Sequence, residues 1–208
     1  GAGDQGQLPR LLGLGGQGGR VICPVVFELL GKGRELADQM EQELTAVLFG
    51  SGIEGLSSEL IAYGADQVIE VDDPELKHFR DERYAKALTE LALKYKPAVI
   101  LAGATVTGRS FIPRVAIHLR TGLTADCTGL EYDAESGNLL QTRPAFGGNI
   151  MATIVTSNHR PQMATVRHKV MNPLTRDCLL YTSDAADDLL CVDPGGRRIL
   201  KKKISIKT

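Results

Sequence analysis

Two short stretches of this chain bring together side chains that can do chemistry. In Thr105, Thr107, Gly108, Arg109 and Ser110, hydroxyls, a guanidinium and a glycine follow the apolar run Ala98 to Ala102. If that run is a strand and Ser110 opens a helix, free helix N–H groups, two hydroxyls and Arg109 can hold a phosphate. A plainer reading is that Thr107 or Ser110 caps the helix and Arg109 is solvated. The stretch lacks the G-K-[ST] of a P-loop. In the second stretch, Arg143 and Asn149 flank Pro144-Ala145-Phe146-Gly147-Gly148. Glycines there let the backbone approach a ligand or a partner closely, and a fixed guanidinium stabilises negative charge on a neighbouring redox ring. A hairpin turn with a surface arginine is the plainer alternative.

Other candidates carry less. His159 beside Arg160-Pro161 reads as a structural residue of a tight connection, and His78, His118 and His168 show no metal-ligand spacing. Asp126-Cys127 has no neighbouring His or Cys to activate a thiol. Spacing assigns no Ser, His and Asp set and no carboxylate pair, so catalysis by side chains is not expected. Gly13 to Gly18 satisfies G-x-G-x-x-G, but only Leu11 and Leu12 precede it where a dinucleotide turn needs a buried strand.

The elements that must position these residues alternate. Leu29, Gly33, Leu36, Ala37 and Met40 mark a helix over Val26 to Gln42. Leu44 to Phe49 reads as a strand, Ile53 to Ala62 as a helix ended by Gly64, and Gln67 to Val71 as the next strand. Tyr84, Ala87, Leu88, Leu91, Ala92 and Tyr95 form one helical stripe, and Ala98 to Ala102 suits a central parallel strand. This order predicts an α/β, doubly wound parallel sheet with helices on both faces. After a helix starting near Ser110 the pattern turns to short β runs: Cys127 to Tyr132, Leu139 to Arg143, Asn149 to Thr156 and Gln162 to Arg167. Gly-containing connections make these an antiparallel β meander appended to the sheet.

Composition narrows the classes. The 208 residues, 43% hydrophobic and 24% charged, suit one soluble domain, and a net charge of -1 gives no reason to expect nucleic acid. Apolar runs fall far below the roughly 18 residues of a membrane span, so no membrane insertion is expected and the cytoplasm is the expected location. Four separated cysteines suggest neither zinc nor a disulfide framework. From Cys178 the apolar periodicity stops. Codons for Cys178 to Asp187 can spell the end of a transposon adapter from sequencing libraries, and Leu189 to Lys203 its index-side continuation. Residues 172–208 are therefore expected to be a short junction followed by a non-native tail.

The segments LAGATVTGRSFIPRVA, TGLTADCTGLEYD, LLQTRPAFGGNIMATIVT and NHRPQMATVR closely resemble the N-terminal domain of the α subunit of electron transfer flavoprotein. The resemblance runs over residues 24–171. It implies a three-layer parallel sheet like that of adenine nucleotide alpha hydrolases, carrying the meander. It also implies an electron carrier rather than an enzyme, a heterodimer with the β subunit that exchanges electrons with acyl-CoA dehydrogenase or an NADH-linked dehydrogenase, as in fatty acid beta-oxidation. The FAD of such a protein sits in a further C-terminal domain that this chain does not include, so FAD is expected in the full heterodimer. Arg143 and Asn149, with Thr107 and Arg109, become candidates to face a flavin or nucleotide of the partner subunit. The sequence style is similar to the anaerobic bacterial, bifurcating group. Residues 1–23 are expected to be frameshifted or atypical: read one base later, codons for Leu11 to Gly16 can encode Phe-Trp-Val-Leu-Ala-Glu, which resembles the family's aromatic, apolar first strand. The alternative class is an adenine-nucleotide-binding module of universal-stress-protein type, whose phosphate loop Gly103 to Ser110 partly imitates.

Overall fold

The computed structural model describes residues 22–53, 55–145, 150–176 and 197–201. The G-x-G-x-x-G run, Asn149 and Cys178 to Gly196 lie outside the described residues. Helix α1 (Pro24–Gln39) opens with proline in its first turn, where the missing N–H costs nothing. It is followed by β1 (Thr45–Gly50), α2 (Leu56–Ala62), β2 (Gln67–Asp72), α3 (Asp81–Tyr95), β3 (Val99–Gly103) and α4 (Val106–His118). Strands β4 (Leu123–Cys127), β5 (Gly129–Asp133), β6 (Asn138–Pro144), β7 (Met151–Ile154) and β8 (Gln162–Val166) complete the body. A last strand, β9 (Arg198–Lys201), comes from the segment that the sequence sets apart and pairs parallel with β2.

The parallel strands form two groups, β1-β2-β9 and β3-β8-β4, and the meander β5-β6-β7 is antiparallel. Both parallel groups share the same two apolar layers. On one face α1 and α2 pack Leu29, Leu30, Leu60 and Ile61 against Ala46, Leu48, Val68, Val99 and Leu101. On the other, α3 and α4 pack Leu88, Phe111, Ile112 and Val115 against Val47, Phe49, Ile69, Ile100 and Ala102. Every residue of β1 and β3 is buried, as continuous apolar runs between two helix layers require. Phe49, Phe79, Tyr84 and Phe111 meet at ring-centroid distances of 4.9 to 6.2 Å in tilted and edge-on pairs.

The structure corrects the reading of the last β run. Gln162 to Arg167 looks like a fourth meander strand, yet β8 inserts between β3 and β4 and pairs parallel with both. Its five residues are all buried, so it belongs to the core. The first residues of the earlier run also divide, Cys127 ending β4 and Gly129 opening β5.

Two long-range polar contacts fasten the helices. Asp66 accepts from the Leu44 N–H at 2.7 Å and pairs with Arg34, joining α1 to the entrances of β1 and β2. The buried Glu28 carboxylate accepts from three successive N–H groups, those of Lys169, Val170 and Met171, at 3.0, 3.2 and 3.3 Å. That segment then crosses α1 so closely that a Cβ on Gly31 would stand 2.2 Å from the Asn172 carbonyl oxygen. Gly31→Ala therefore must displace backbone, with an expected cost of about 1 to 3 kcal/mol. Thermal unfolding should show the lower Tm, and amide exchange should show Lys169 to Met171 losing protection.

Candidate functional site

The carboxyl ends of β3, β8 and β4 gather most of the singled-out side chains. Helix α4 starts there, several residues earlier than Ser110, and its cap is Thr105 rather than Thr107 or Ser110: the Thr105 Oγ1 accepts from the Gly108 N–H at 3.0 Å. Gly108 is required by packing, since a Cβ there would lie 2.0 Å from the Gly103 carbonyl oxygen. Thr107 is half-buried and its hydroxyl makes no hydrogen bond among the described residues.

Arg109 is not simply solvated. Its Nε and Nη2 both lie 3.1 Å from Asp126 Oδ1, with the arginine side chain 54% and the aspartate 25% exposed. Asp126 reaches that position through a register shift between Thr124 and Cys127, which puts it at φ 59°, and its N–H donates to the buried Thr165 Oγ1 at 3.0 Å. A bulge that re-aims a side chain beside a site is a common device. Because Asp126 neutralises Arg109, this corner is a weaker phosphate clamp than the sequence suggests.

Arg143 behaves differently. Three meander strands carry the chain away from the carboxyl end, back and away again, so the β6–β7 turn returns to it. The Thr128 N–H bonds the Thr142 carbonyl there, and the Ala145 N–H donates to the Ile150 carbonyl at 2.7 Å across the turn. Arg143 is half-buried and has no hydrogen-bond or ion-pair partner among the described residues. It acts electrostatically on Cys127: burial pushes this thiol up to about 11, Arg143 pulls it down and Asp126 pushes it up. Arg109, Asp126, Cys127 and Arg143 are thus neighbours in one corner. On the same face of β6, Gln141 is fully buried, and among the described residues neither end of its amide nor the nearby buried Thr128 hydroxyl has a hydrogen-bond partner. Sequence periodicity offers no signal for that polar row, because Gln141 stands where an apolar residue is expected.

The opposite end of the meander is structural. Arg160 donates to the carbonyls of Thr156, Ser157, His159 and Gly137 and to Asn138 Oδ1. All four histidines are exposed. Among the described residues no three His, Cys, Asp or Glu side chains converge as metal ligands. A groove of about 640 Å³ lies elsewhere, against α1, with Phe27, Glu28, Tyr63, Lys169 and Arg176 in its wall.

This arrangement, an α/β sheet with a meander returning an arginine to its carboxyl end, has a sequence-level counterpart. The pattern of the electron transfer flavoprotein domain matches residues 13–187. The chain belongs to the electron transfer flavoprotein family. It is 57% identical over 156 residues to the electron transfer flavoprotein subunit alpha of Thermoanaerobacterium thermosaccharolyticum, covering 75% of this chain and 47% of that protein. Against the corresponding subunit of Clostridium acetobutylicum it is 53% identical over 150 residues, covering 72% and 45%. Against the lactate dehydrogenase (NAD(+),ferredoxin) subunit LctC of Acetobacterium woodii it is 56% identical over 149 residues, covering 72% and 35%. The chain spans less than half the length of these relatives. The α-subunit likeness covers most of the chain and does not favour the universal-stress-protein alternative.

Two outcomes test this corner of the flavoprotein domain. Thr105→Ala should cost about 1 kcal/mol through the lost cap, and Thr107→Ala should stay within about 0.5 kcal/mol, both read from denaturant unfolding. A folded-state thiol raised from 9.0 to about 11 makes the folded state hold its proton longer than the unfolded state. Stability should thus fall as pH rises from 9 to 11. Cys127→Ala should remove that component, seen as the difference between the two Tm profiles.

Proposed function

We propose that this domain is the partner-facing part of an electron-transferring heterodimer, and that Arg143 presents positive charge to a flavin held by the β-type subunit. One observation carries this reading: Arg143 is a half-buried cation with no partner among the described residues, in a corner where β6 and β7 turn towards the outside. A guanidinium withdrawn from water without a counter-charge is costly, and an anionic or polarisable ring next to it offsets that cost. The corner fits a contribution to FAD rather than its whole binding site. The flavin supplies the redox chemistry. Arg143 favours added negative charge on the neighbouring ring, Thr107 and the start of α4 offer hydrogen bonds at the same end, and Arg109 is held back by Asp126. Asn149 stays a candidate on its sequence position beside Ile150 alone.

In this reading the whole protein is an electron carrier working with a β subunit and a dehydrogenase in the cytoplasm. A relative named as a lactate dehydrogenase (NAD(+),ferredoxin) subunit supports redox partners beyond acyl-CoA dehydrogenase and fatty acid beta-oxidation. No helix among the described residues is long and apolar enough to cross a membrane. The domain proper is residues 24–171, with foreign sequence from Cys178.

Co-expression of the full chain with a family β subunit, followed by purification and redox titration, tests the proposal. The subunits should co-purify with flavin. Arg143→Gln should leave association intact and lower the flavin potential by on the order of 40 mV, the equivalent of about 1 kcal/mol for one electron. Arg109→Gln should shift it less. A monomer that ignores the β subunit and binds ATP would sink the reading.

A further inference from the structure

We propose that the domain binds an internal water between the β meander and the parallel sheet, with the Gln141 side-chain amide as its main ligand and Thr128 and Gln162 beside it. Strand β6 is the middle strand of the meander, so its backbone groups are taken up by the ladders to β5 and β7. Its inner face looks into the core. Leu139, two residues before Gln141, and Leu130, directly opposite it, belong to the apolar cluster that α1 forms with Cys127, Ala164 and Val166. Gln141 stands in this wall at 0% exposure. Among the described residues neither its Oε1 nor its Nε2 has a hydrogen-bond partner, so exchanging the two ends of the amide leaves the same deficit.

Two further groups border the amide. The Thr128 N–H donates to the Thr142 carbonyl, which continues the β5–β6 register and puts the Thr128 side chain on the inner face, diagonal to Gln141. Its buried hydroxyl has no partner among the described residues. Gln162, also at 0% exposure, opens β8 and accepts from the Leu139 N–H through Oε1 at 2.9 Å. That bond holds its other end, the Nε2, beside the backbone of β6 two residues from Gln141, and this Nε2 has no partner among the described residues. A polar row thus follows the inner face of β6 from Gln162 past Gln141 to Thr128, and it ends at Arg143.

The chemistry of the row selects its ligand. A primary amide offers donor hydrogens and an acceptor oxygen, a hydroxyl does both, and the free end of Gln162 only donates. An anion would leave Gln141 Oε1 without a donor, and a cation would face the two Nε2 groups. The ligand must therefore be neutral, able to donate and accept, and small enough for a space walled by leucines. Water meets all of these conditions. Buried waters with about three polar partners are the usual means by which interior polar groups are satisfied when no protein group reaches them. Leaving a buried amide unbonded is costly, whereas a bridging water restores most of what solvent gave it.

Oxygen-17 magnetic relaxation dispersion of water, measured on the full chain, detects internal waters by their long residence times. Gln141→Leu, close to the amide in volume, should reduce the dispersion amplitude without raising Tm. Thr142→Val, which changes the outer face of β6 where Thr142 meets the Thr153 hydroxyl at 3.1 Å, should leave the amplitude unchanged. An equal amplitude in Gln141→Leu and the parent chain, with a raised Tm, overturns the proposal, because it means that the amide is unbonded in a dry interior. A crystal structure of the full parent chain keeps the test open if the leucine variant does not fold. An ordered water within hydrogen-bond distance of the Gln141 amide and of Thr128 or Gln162 supports the site. A Gln141 amide bonded to protein groups alone, or with no density beside it, overturns it.

Discussion

The parallel pairing of β8 with both β3 and β4 is the constraint on which the candidate site depends. A strand parallel to β4 must begin at the sheet's amino end, whereas β4 delivers the chain to the carboxyl end. An odd number of intervening strands makes that return possible, and three are used. The β6–β7 turn then has to emerge at the carboxyl end, next to the bulge that carries Asp126. Arg143 is where it is because β8 is where it is. The Arg160 contacts with the Gly137 carbonyl and the Asn138 side chain fasten the two ends of the meander on the opposite side. The sheet's interior pairing thereby fixes the position of an otherwise surface-borne arginine.

Electrostatics divides the corner into two kinds of cation. Arg109 is exposed and neutralised by a carboxylate from the adjoining strand, and such pairs contribute little on their own. Arg143 is half-buried and pairs with no carboxylate among the described residues, while the Cys127 thiol it acts on is pushed up to about 11, chiefly by burial. The corner therefore retains net positive character directed through one side chain. Behind it, the buried Gln141 amide and Thr128 hydroxyl have no hydrogen-bond partner among the described residues and place polar atoms against this corner.

Much of this fold is legible in local pattern because the helices bury single stripes and the strands are short, doubly buried runs. The periodicity of Tyr84, Leu88, Leu91 and Ala92 predicts α3 directly, and the apolar run Ala98 to Ala102 predicts β3 within one residue. The fate of β8 is not legible: five residues between a proline and an arginine look alike whether they extend a meander or enter a parallel sheet. Thr105 as the cap is missed for a similar reason, since three hydroxyl residues within six positions compete and only the approach of Gly108 to Gly103 decides. Partners distant in sequence, such as Asp126 for Arg109 or Lys169 to Met171 for Glu28, leave no local trace. What the spacing did indicate was that Arg143 sits beside a permissive turn. Its lack of a counter-ion among the described residues required three dimensions.

The Glu28 carboxylate also defines where this domain ends mechanically. By gathering three N–H groups downstream of β8, with the Asn172 carbonyl pressed against the Gly31 backbone, it makes the segment after the last core strand part of the rigid body. Any sequence joined downstream of this segment inherits its bearing from α1, so a change of orientation between this domain and a following one would have its pivot beyond that clasp, several residues farther from the sheet than the last strand alone would place it.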